Sequence, residues 1–150
     1  MAPCRKESLS LNVFFDIDST ILGYYDMSLR PQAREVFEEI VAEGHHLYLW
    51  SGVGIRWEVV DRHKLHDLVR DCFRKPMTGD LAKVTDPHSI LRDFGVTVRP
   101  DFCVDDYPEI VEAYGGVAVR AYIQHDPEDA EMRRVQRELR AFAQRNGGGA

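Results

Sequence analysis

Long apolar segments are missing from this 150-residue sequence, and so is any excess of positive charge. No apolar run reaches the roughly 18 residues that a membrane-spanning helix needs. The formal net charge is −6, whereas general binding to nucleic acid requires a strongly positive field. The composition therefore argues against a membrane-spanning protein and against a general nucleic-acid-binding protein.

Cysteine is also scarce. The chain has only Cys4, Cys72 and Cys103, an odd number at wide spacing. This pattern matches neither a disulfide framework nor a set of zinc ligands. Near the start of the chain, basic residues precede an apolar stretch that is interrupted by polar residues and soon reaches Asp16. Such a stretch is a poor signal peptide, and we expect a cytoplasmic protein.

What the sequence does contain is an ordinary globular composition, with 44% apolar and 29% charged residues. The length fits one domain. We expect this domain to span residues 1–150, with its core at about 11–145 and a disordered glycine-rich tail at 146–150. Strand and helix candidates alternate along the chain, and several strand candidates are apolar throughout, as in a sheet covered on both faces. These features predict a single Rossmann-like, three-layer α/β domain with a mainly parallel central sheet.

The predicted strands cover residues 11–15, 47–50, 72–73, 102–104 and 117–122. Helices are predicted from Pro31 to near Gly44, over about residues 55–67, from Asp86-Pro87 to Gly95, from Pro108 to Gly115-Gly116, and from Asp126-Pro127 onward. Proline suits the first turn of a helix, and glycine suits the position just after its end.

Polar side chains follow four of these strands directly. They are Asp16, Asp18, Ser51, Lys75, Asp105 and Asp106. Ligands of open α/β sheets bind beside the carboxyl ends of the strands, so we expect these residues to meet at one edge. Packed carboxylates repel each other unless a cation lies between them, and Mg²⁺ prefers carboxylate oxygens together with phosphate oxygens. The four aspartates are therefore the candidate metal-binding residues.

A phosphoryl group would complete such a site, because its transfer depends on positioning and charge neutralisation. Asp16 can serve as the carboxylate nucleophile. Asp18 can protonate the leaving oxygen and later activate water. Ser51 and Gly52 can bind phosphate oxygens at the start of the next helix.

Lysine supplies the fixed positive charge of this candidate site. We prefer Lys75 to its rival Lys83, because Lys75 directly follows an apolar pair and precedes proline. Arg56, at the start of the helix after Ser51, has two interpretations: it reaches a phosphate, or it is a solvated charge.

The order of these segments resembles the four motifs of the haloacid dehalogenase superfamily. The matching segments are residues 14–20 (FFDIDST), 47–52 (LYLWSG), 75–76 (KP) and 102–106 (FCVDD). The resemblance implies a Mg²⁺-dependent phosphomonoester hydrolase that forms an aspartyl phosphate on Asp16. It also implies that Mg²⁺ contacts Asp16, the backbone carbonyl of Asp18, and either Asp105 or Asp106.

Members of this superfamily differ in the cap modules that close over the site. Residues 21–30 and 52–74 are each too few for a cap domain, so the resemblance is to the small capless subgroup. Capless sites are open to solvent, reach large substrates, or are closed by neighbouring subunits, which makes a homo-oligomer one expectation. Two alternatives stay open: a phosphatase for a phosphoprotein or a nucleic-acid end, and an inactive binding module with the same fold.

Overall fold

Five short strands form the centre of the structure, which is a computed structural model that describes residues 9–147. They are β1 (Asn12–Asp16), β2 (His46–Ser51), β3 (Val69–Arg74), β4 (Phe102–Asp105) and β5 (Gly116–Ala118). The strands lie in the order β3-β2-β1-β4-β5, and every neighbouring pair is parallel. The predicted Rossmann-like α/β fold is confirmed. The chain reverses its direction of travel across the sheet between β1 and β4, which is where such folds bind ligands.

Helices cover both faces of this sheet. They are α1 (Ala33–Ala42), α2 (Trp57–His63), α3 (Thr78–Leu81), a 3-10 helix (Pro87–Phe94), α4 (Pro108–Tyr114) and α5 (Glu131–Gly147). The 3-10 helix begins as predicted, because the Asp86 side chain accepts a hydrogen bond from the backbone N–H of His88. It ends at Gly95, whose φ of 77° suits glycine. Within residues 9–147, no helix is long and apolar enough to cross a membrane.

Alternate residues of the central strands enter two separate cores, because successive side chains of a strand point to opposite faces. Val13 and Phe15 of β1 pack in the larger core. Phe14 packs in the other, which is rich in aromatic residues. There the ring of Phe14 meets that of Trp50 edge-on at 4.8 Å between ring centres. Both faces of the sheet are therefore apolar, and polar groups emerge only at the strand ends.

Several predicted boundaries are wrong. The predicted strand 117–122 ends at Ala118, and α2 is shorter than predicted because Lys64 adopts a left-handed conformation that stops it. The last helix begins at Glu131 and not at Asp126. The Asp129 carboxylate, which Arg30 binds, accepts a hydrogen bond from the backbone N–H of Glu131, the first residue of the helix. The short helix α3 was not predicted. Of the predicted disordered tail, residues 146–147 belong to α5, and residues 148–150 lie outside the described residues.

A buried ion pair joins the start of α5 to the loop after β1. The guanidinium of Arg30 binds both carboxylate oxygens of Asp129 at 2.8 Å. It also donates to the backbone carbonyls of Thr20 at 3.0 Å and Arg120 at 2.8 Å. The side chains of Arg30 and Asp129 are both shielded from water, so each charge depends on its partner.

We predict that Asp129→Asn lowers the free energy of unfolding by about 3–5 kcal/mol, because the variant leaves the buried Arg30 charge without its counter-ion. The matched control is Glu43→Gln, which removes a partly exposed partner of Arg140 and should cost less than about 1 kcal/mol. Urea unfolding followed by circular dichroism measures both. Equal losses in the two variants would show that the Arg30 contact adds nothing beyond a surface pair.

Candidate active site

The carboxyl ends of the strands bring four sequence-predicted residues to one edge of the sheet. Asp16 ends β1, Ser51 ends β2 and Asp105 ends β4, while Lys75 directly follows β3. The backbone N–H of Lys75 donates to the Ser51 carbonyl at 2.9 Å, which fixes Lys75 beside β2. The convergence follows from the topology, because parallel strands all end at the same edge.

Lys75 makes the central contact of the site. Its Nζ lies 2.9 Å from Asp16 Oδ1 and 2.8 Å from Asp105 Oδ2. The lysine is only 2% exposed, and the two carboxylates are 5% and 0% exposed. The rival candidate Lys83 is exposed beyond α3. Of the two lysines, the structure therefore brings Lys75 to the carboxylates.

The charges of this cluster do not balance. Burial raises the pKa of Asp16 to about 6, and the attraction of Lys75 only partly opposes that rise. Burial together with the charge of Asp16 also raises the pKa of Asp105 to about 6. Burial alone would lower the pKa of Lys75, but the two carboxylates raise it. One ammonium is thus shared by two buried carboxylates, and a further positive charge beside them would be stabilised.

Asp106 completes a cluster of three carboxylates. Asp16, Asp105 and Asp106 each offer an oxygen, and these oxygens lie within 4.8 Å of one another. The hydroxyl of Thr20 lies 2.9 Å from Asp16 Oδ2 and 3.2 Å from Asp106 Oδ1, and it accepts a hydrogen bond from the Asp106 N–H. An all-oxygen, negatively charged donor set suits a hard divalent cation. These residues can therefore hold a metal ion of that kind.

The sequence did not predict that Thr20 bridges two of the carboxylates. Its position four residues after Asp16 was the available signal. The hydroxyl fixes the orientation of the Asp16 carboxylate from the side opposite Lys75. Two donors thus hold the two oxygens of Asp16 in place.

Asp18 lies apart from the three clustered carboxylates. Its side chain is 42% exposed, and Oδ2 accepts a hydrogen bond from Arg56 Nη1 at 2.8 Å. The predicted metal contact of its backbone carbonyl stays a prediction. Arg56 also binds Glu58. Neither sequence interpretation of Arg56 included these two carboxylates.

The loop after β2 contains the predicted phosphate-binding residues Ser51 and Gly52. Ser51 is buried, and its Oγ accepts a hydrogen bond from the Val53 N–H at 3.2 Å. A Cβ atom at Gly52 would lie 2.2 Å from the sulfur of Met77, so a larger residue there would require the Met77 side chain to shift. Phosphate binding by this loop stays a prediction.

Exposed apolar side chains surround this edge of the sheet. Among the described residues, the large apolar side chains that are exposed are Tyr24, Tyr25, Val53, Ile55, Trp57, Tyr107 and Ile123. They belong to the segments that follow β1, β2, β4 and β5. We call this set the apolar rim. The backbone N–H of Tyr25 donates to the carbonyl of Ile123 at 2.9 Å, which joins two of these segments.

We predict that Mg²⁺ raises the melting temperature of the wild-type protein and that chelation reverses the rise. A cation at 100 times its Kd stabilises the folded state by about 2.7 kcal/mol. The rise should be smaller at pH 5 than at pH 7.5. When the pH is below the pKa of about 6, the carboxyls of Asp16 and Asp105 hold protons in the folded state. These protons compete with the metal.

Asp105→Asn should lose most of the response to Mg²⁺. Asp61→Asn is the matched control, because it removes the same charge from an exposed position on α2. Differential scanning fluorimetry of the three proteins in Mg²⁺ and in chelator gives the comparison. An equal rise in all three would place the cation elsewhere.

No protein-family model matches this chain, and no curated protein matches it either. The chemical interpretation of the site therefore depends on the contacts of Lys75, the clustered carboxylates and the Asp18–Arg56 pair.

Proposed function

We propose that this chain is a Mg²⁺-dependent phosphomonoester hydrolase that works through an aspartyl phosphate on Asp16. The observation that carries the proposal is the buried ammonium of Lys75 between Asp16 and Asp105, beside the third carboxylate of Asp106. This arrangement combines a fixed carboxylate, a fixed cation and a carboxylate cluster that can hold a metal ion at the ligand-binding edge of an α/β sheet. Phosphoryl transfer requires these components.

A purely structural ion-pair network explains the site less well. Structural networks are stable when every charge has a partner, whereas here two carboxyl pKa values are raised to about 6. Perturbed carboxyls in a cleft are typical of functional sites. Asp106 is also only half-buried, so a ligand can reach the cluster from solvent.

The first chemical step transfers the phosphoryl group to the protein. A carboxylate oxygen of Asp16 attacks phosphorus, and the bond between phosphorus and the leaving oxygen breaks. The leaving oxygen keeps the bonding electron pair and takes a proton from Asp18. Lys75 and the donors around Ser51 and Gly52 stabilise the negative phosphoryl oxygens.

The second step releases phosphate. Asp18, now a carboxylate, takes a proton from a water molecule as that water attacks phosphorus. The bond between phosphorus and Asp16 breaks, so inorganic phosphate leaves and the Asp16 carboxylate is restored. A divalent cation held by Asp16, the backbone carbonyl of Asp18 and Asp105 or Asp106 would neutralise charge on the phosphoryl group.

This proposal agrees with the resemblance to capless members of the haloacid dehalogenase superfamily, and with a cytoplasmic location. The apolar rim favours a substrate large enough to cover it, such as a phosphoprotein, as the best substrate. Small esters reach the cluster past the half-buried Asp106 and are turned over more slowly. Apolar surface at the mouth of a site gains free energy when a partner buries it. A second subunit of the same chain is the other candidate for covering the rim.

We predict that Asp16→Asn abolishes turnover of 4-nitrophenyl phosphate in Mg²⁺ while the fold is retained. An amide cannot form the acyl phosphate, but it has nearly the shape of the carboxylate. Asp61→Asn, on the exposed face of α2, is the control and should keep full activity. Phosphate release and circular dichroism are measured on both. A folded, metal-loaded Asp16→Asn protein that turned over at the wild-type rate would rule out the nucleophile assignment.

We predict that Lys75→Met lowers kcat by roughly 10²–10³, the loss found when one donor to a transition-state charge is removed. Lys83→Met should leave kcat within about twofold, because Lys83 is exposed beyond α3. Steady-state kinetics on 4-nitrophenyl phosphate decides between the two lysines. If Lys83→Met caused the larger loss, the fixed cation of the site would be misassigned.

A further inference from the structure

Arg56 connects the candidate proton donor to a helix. Nη1 of Arg56 donates to Asp18 Oδ2 at 2.8 Å, and Nε donates to Glu58 Oε1. The side chain of Arg56 is only 13% exposed, although those of Asp18 and Glu58 are 42% and 61% exposed. The arginine is thus the inner member of a chain of three charged residues at the mouth of the site.

The two side chains of this contact differ in how firmly they are held. Arg56 directly precedes α2, and its backbone carbonyl accepts a hydrogen bond from the N–H of Val59. Val59 anchors that helix in the core. The backbone of Asp18 is fixed by a bridge to Leu22, but its side chain is 42% exposed. The Arg56 contact therefore fixes the Asp18 carboxylate relative to a packed helix.

The contact also divides the two oxygens of Asp18 between two tasks. Within residues 9–147, the side-chain hydrogen bonds of Asp18 involve Oδ2 alone. Oδ1 is thereby left to carry the proton that a leaving oxygen needs. A carboxyl group held through one oxygen presents the other in a defined direction, whereas an unheld carboxyl samples several rotamers.

We propose that Arg56 is a positioning residue that aims Asp18 at the leaving oxygen of the substrate. The inference rests on the proposed function, because it assigns a task to Asp18 within that reaction. In the step concerned, the bond from phosphorus to the leaving oxygen breaks, the oxygen keeps the electron pair, and the proton on Asp18 Oδ1 moves to it. Arg56 keeps its hydrogen bond to Oδ2 throughout and neither gives nor takes a proton.

A positioning role differs from a phosphate-binding role in its dependence on the leaving group. A weakly basic leaving oxygen departs without a proton, whereas a strongly basic one needs the acid. Loss of Arg56 should therefore slow esters of basic alcohols and spare esters of acidic phenols. An arginine that bound the phosphoryl group would contribute equally to both, because the phosphoryl group is the same.

The experiment compares three monoesters of similar size, namely 4-nitrophenyl, phenyl and benzyl phosphate, with saturating Mg²⁺. Arg56→Gln should lower kcat/KM, which reports the transfer step and not the hydrolysis step shared by all three esters, about tenfold or more on benzyl phosphate and less than about twofold on 4-nitrophenyl phosphate, with phenyl phosphate between them. Arg56→Lys should recover part of the loss, since an ammonium can keep the bond to Asp18 but not the planar two-carboxylate contact. KM should change little in both variants.

Two further variants complete the design. Arg70→Gln is the matched control, because it removes the same charge from an exposed residue near the amino ends of the strands, far from the site. There Arg70 contacts His46, the first residue of β2. It should leave all three esters unaffected. Glu58→Gln weakens the hold on Arg56 and should give a smaller loss with the same dependence on the ester. If Arg56→Gln failed to fold in circular dichroism, the Glu58→Gln series would decide the question.

The outcomes separate this inference from the proposed function. Equal losses on all three esters, no loss, or faster turnover would each overturn the positioning role while the hydrolase proposal stands. A wild-type protein that released phosphate from none of the esters would remove the proposed function and this inference with it. A loss that grows with the basicity of the leaving oxygen in Arg56→Gln and Glu58→Gln, and is absent in Arg70→Gln, supports the role.

Discussion

The ammonium of Lys75 lies between the carboxylates of Asp16 and Asp105, and the rest of the site is arranged around this contact. It ties the end of β3 to the ends of β1 and β4, although β2 separates β3 from β1 in the sheet. A buried ammonium and two buried carboxylates are each costly alone and stable only together. Their shared burial keeps the reactive groups in place, because removing one of them would leave a buried charge without its partner.

The same contact leaves negative charge unpaired. One lysine cannot neutralise two buried carboxylates and the neighbouring Asp106, so burial raises the pKa values of Asp16 and Asp105. Between pH 3.8 and about 6, these groups keep protons in the folded state that they lose in the unfolded state, so their ionisation in the folded state carries a cost that lowers stability as pH rises. A cation or a bound ligand that supplies positive charge would remove the cost. Reduced stability in exchange for a site that is ready to bind is a common compromise in proteins.

Support for the site comes from residues that take no part in the proposed chemistry. The buried pair of Arg30 and Asp129 also binds the backbone carbonyl of Thr20, whose hydroxyl holds Asp16. The packed start of α5 is thereby linked through one threonine to the candidate nucleophile. Arg56, which directly precedes α2, binds Asp18. The Asp16 carboxylate is thus held by groups in the core, and the more exposed Asp18 carboxylate is held by a residue beside a packed helix.

Sequence alone determined the α/β class, the parallel sheet and the meeting of Asp16, Ser51, Lys75 and Asp105 at one edge. These features follow from local patterns, because apolar strands need cover on both faces and parallel strands end at the same edge. Tertiary structure decided which lysine the carboxylates bind, which three of four aspartates cluster, and that Arg56 pairs with Asp18. It also decided where β5 ends and where α5 begins, since α5 starts beside Asp129, whose carboxylate the distant Arg30 binds. Such choices depend on side chains far apart in the chain, and their relative positions exist only once the core has packed.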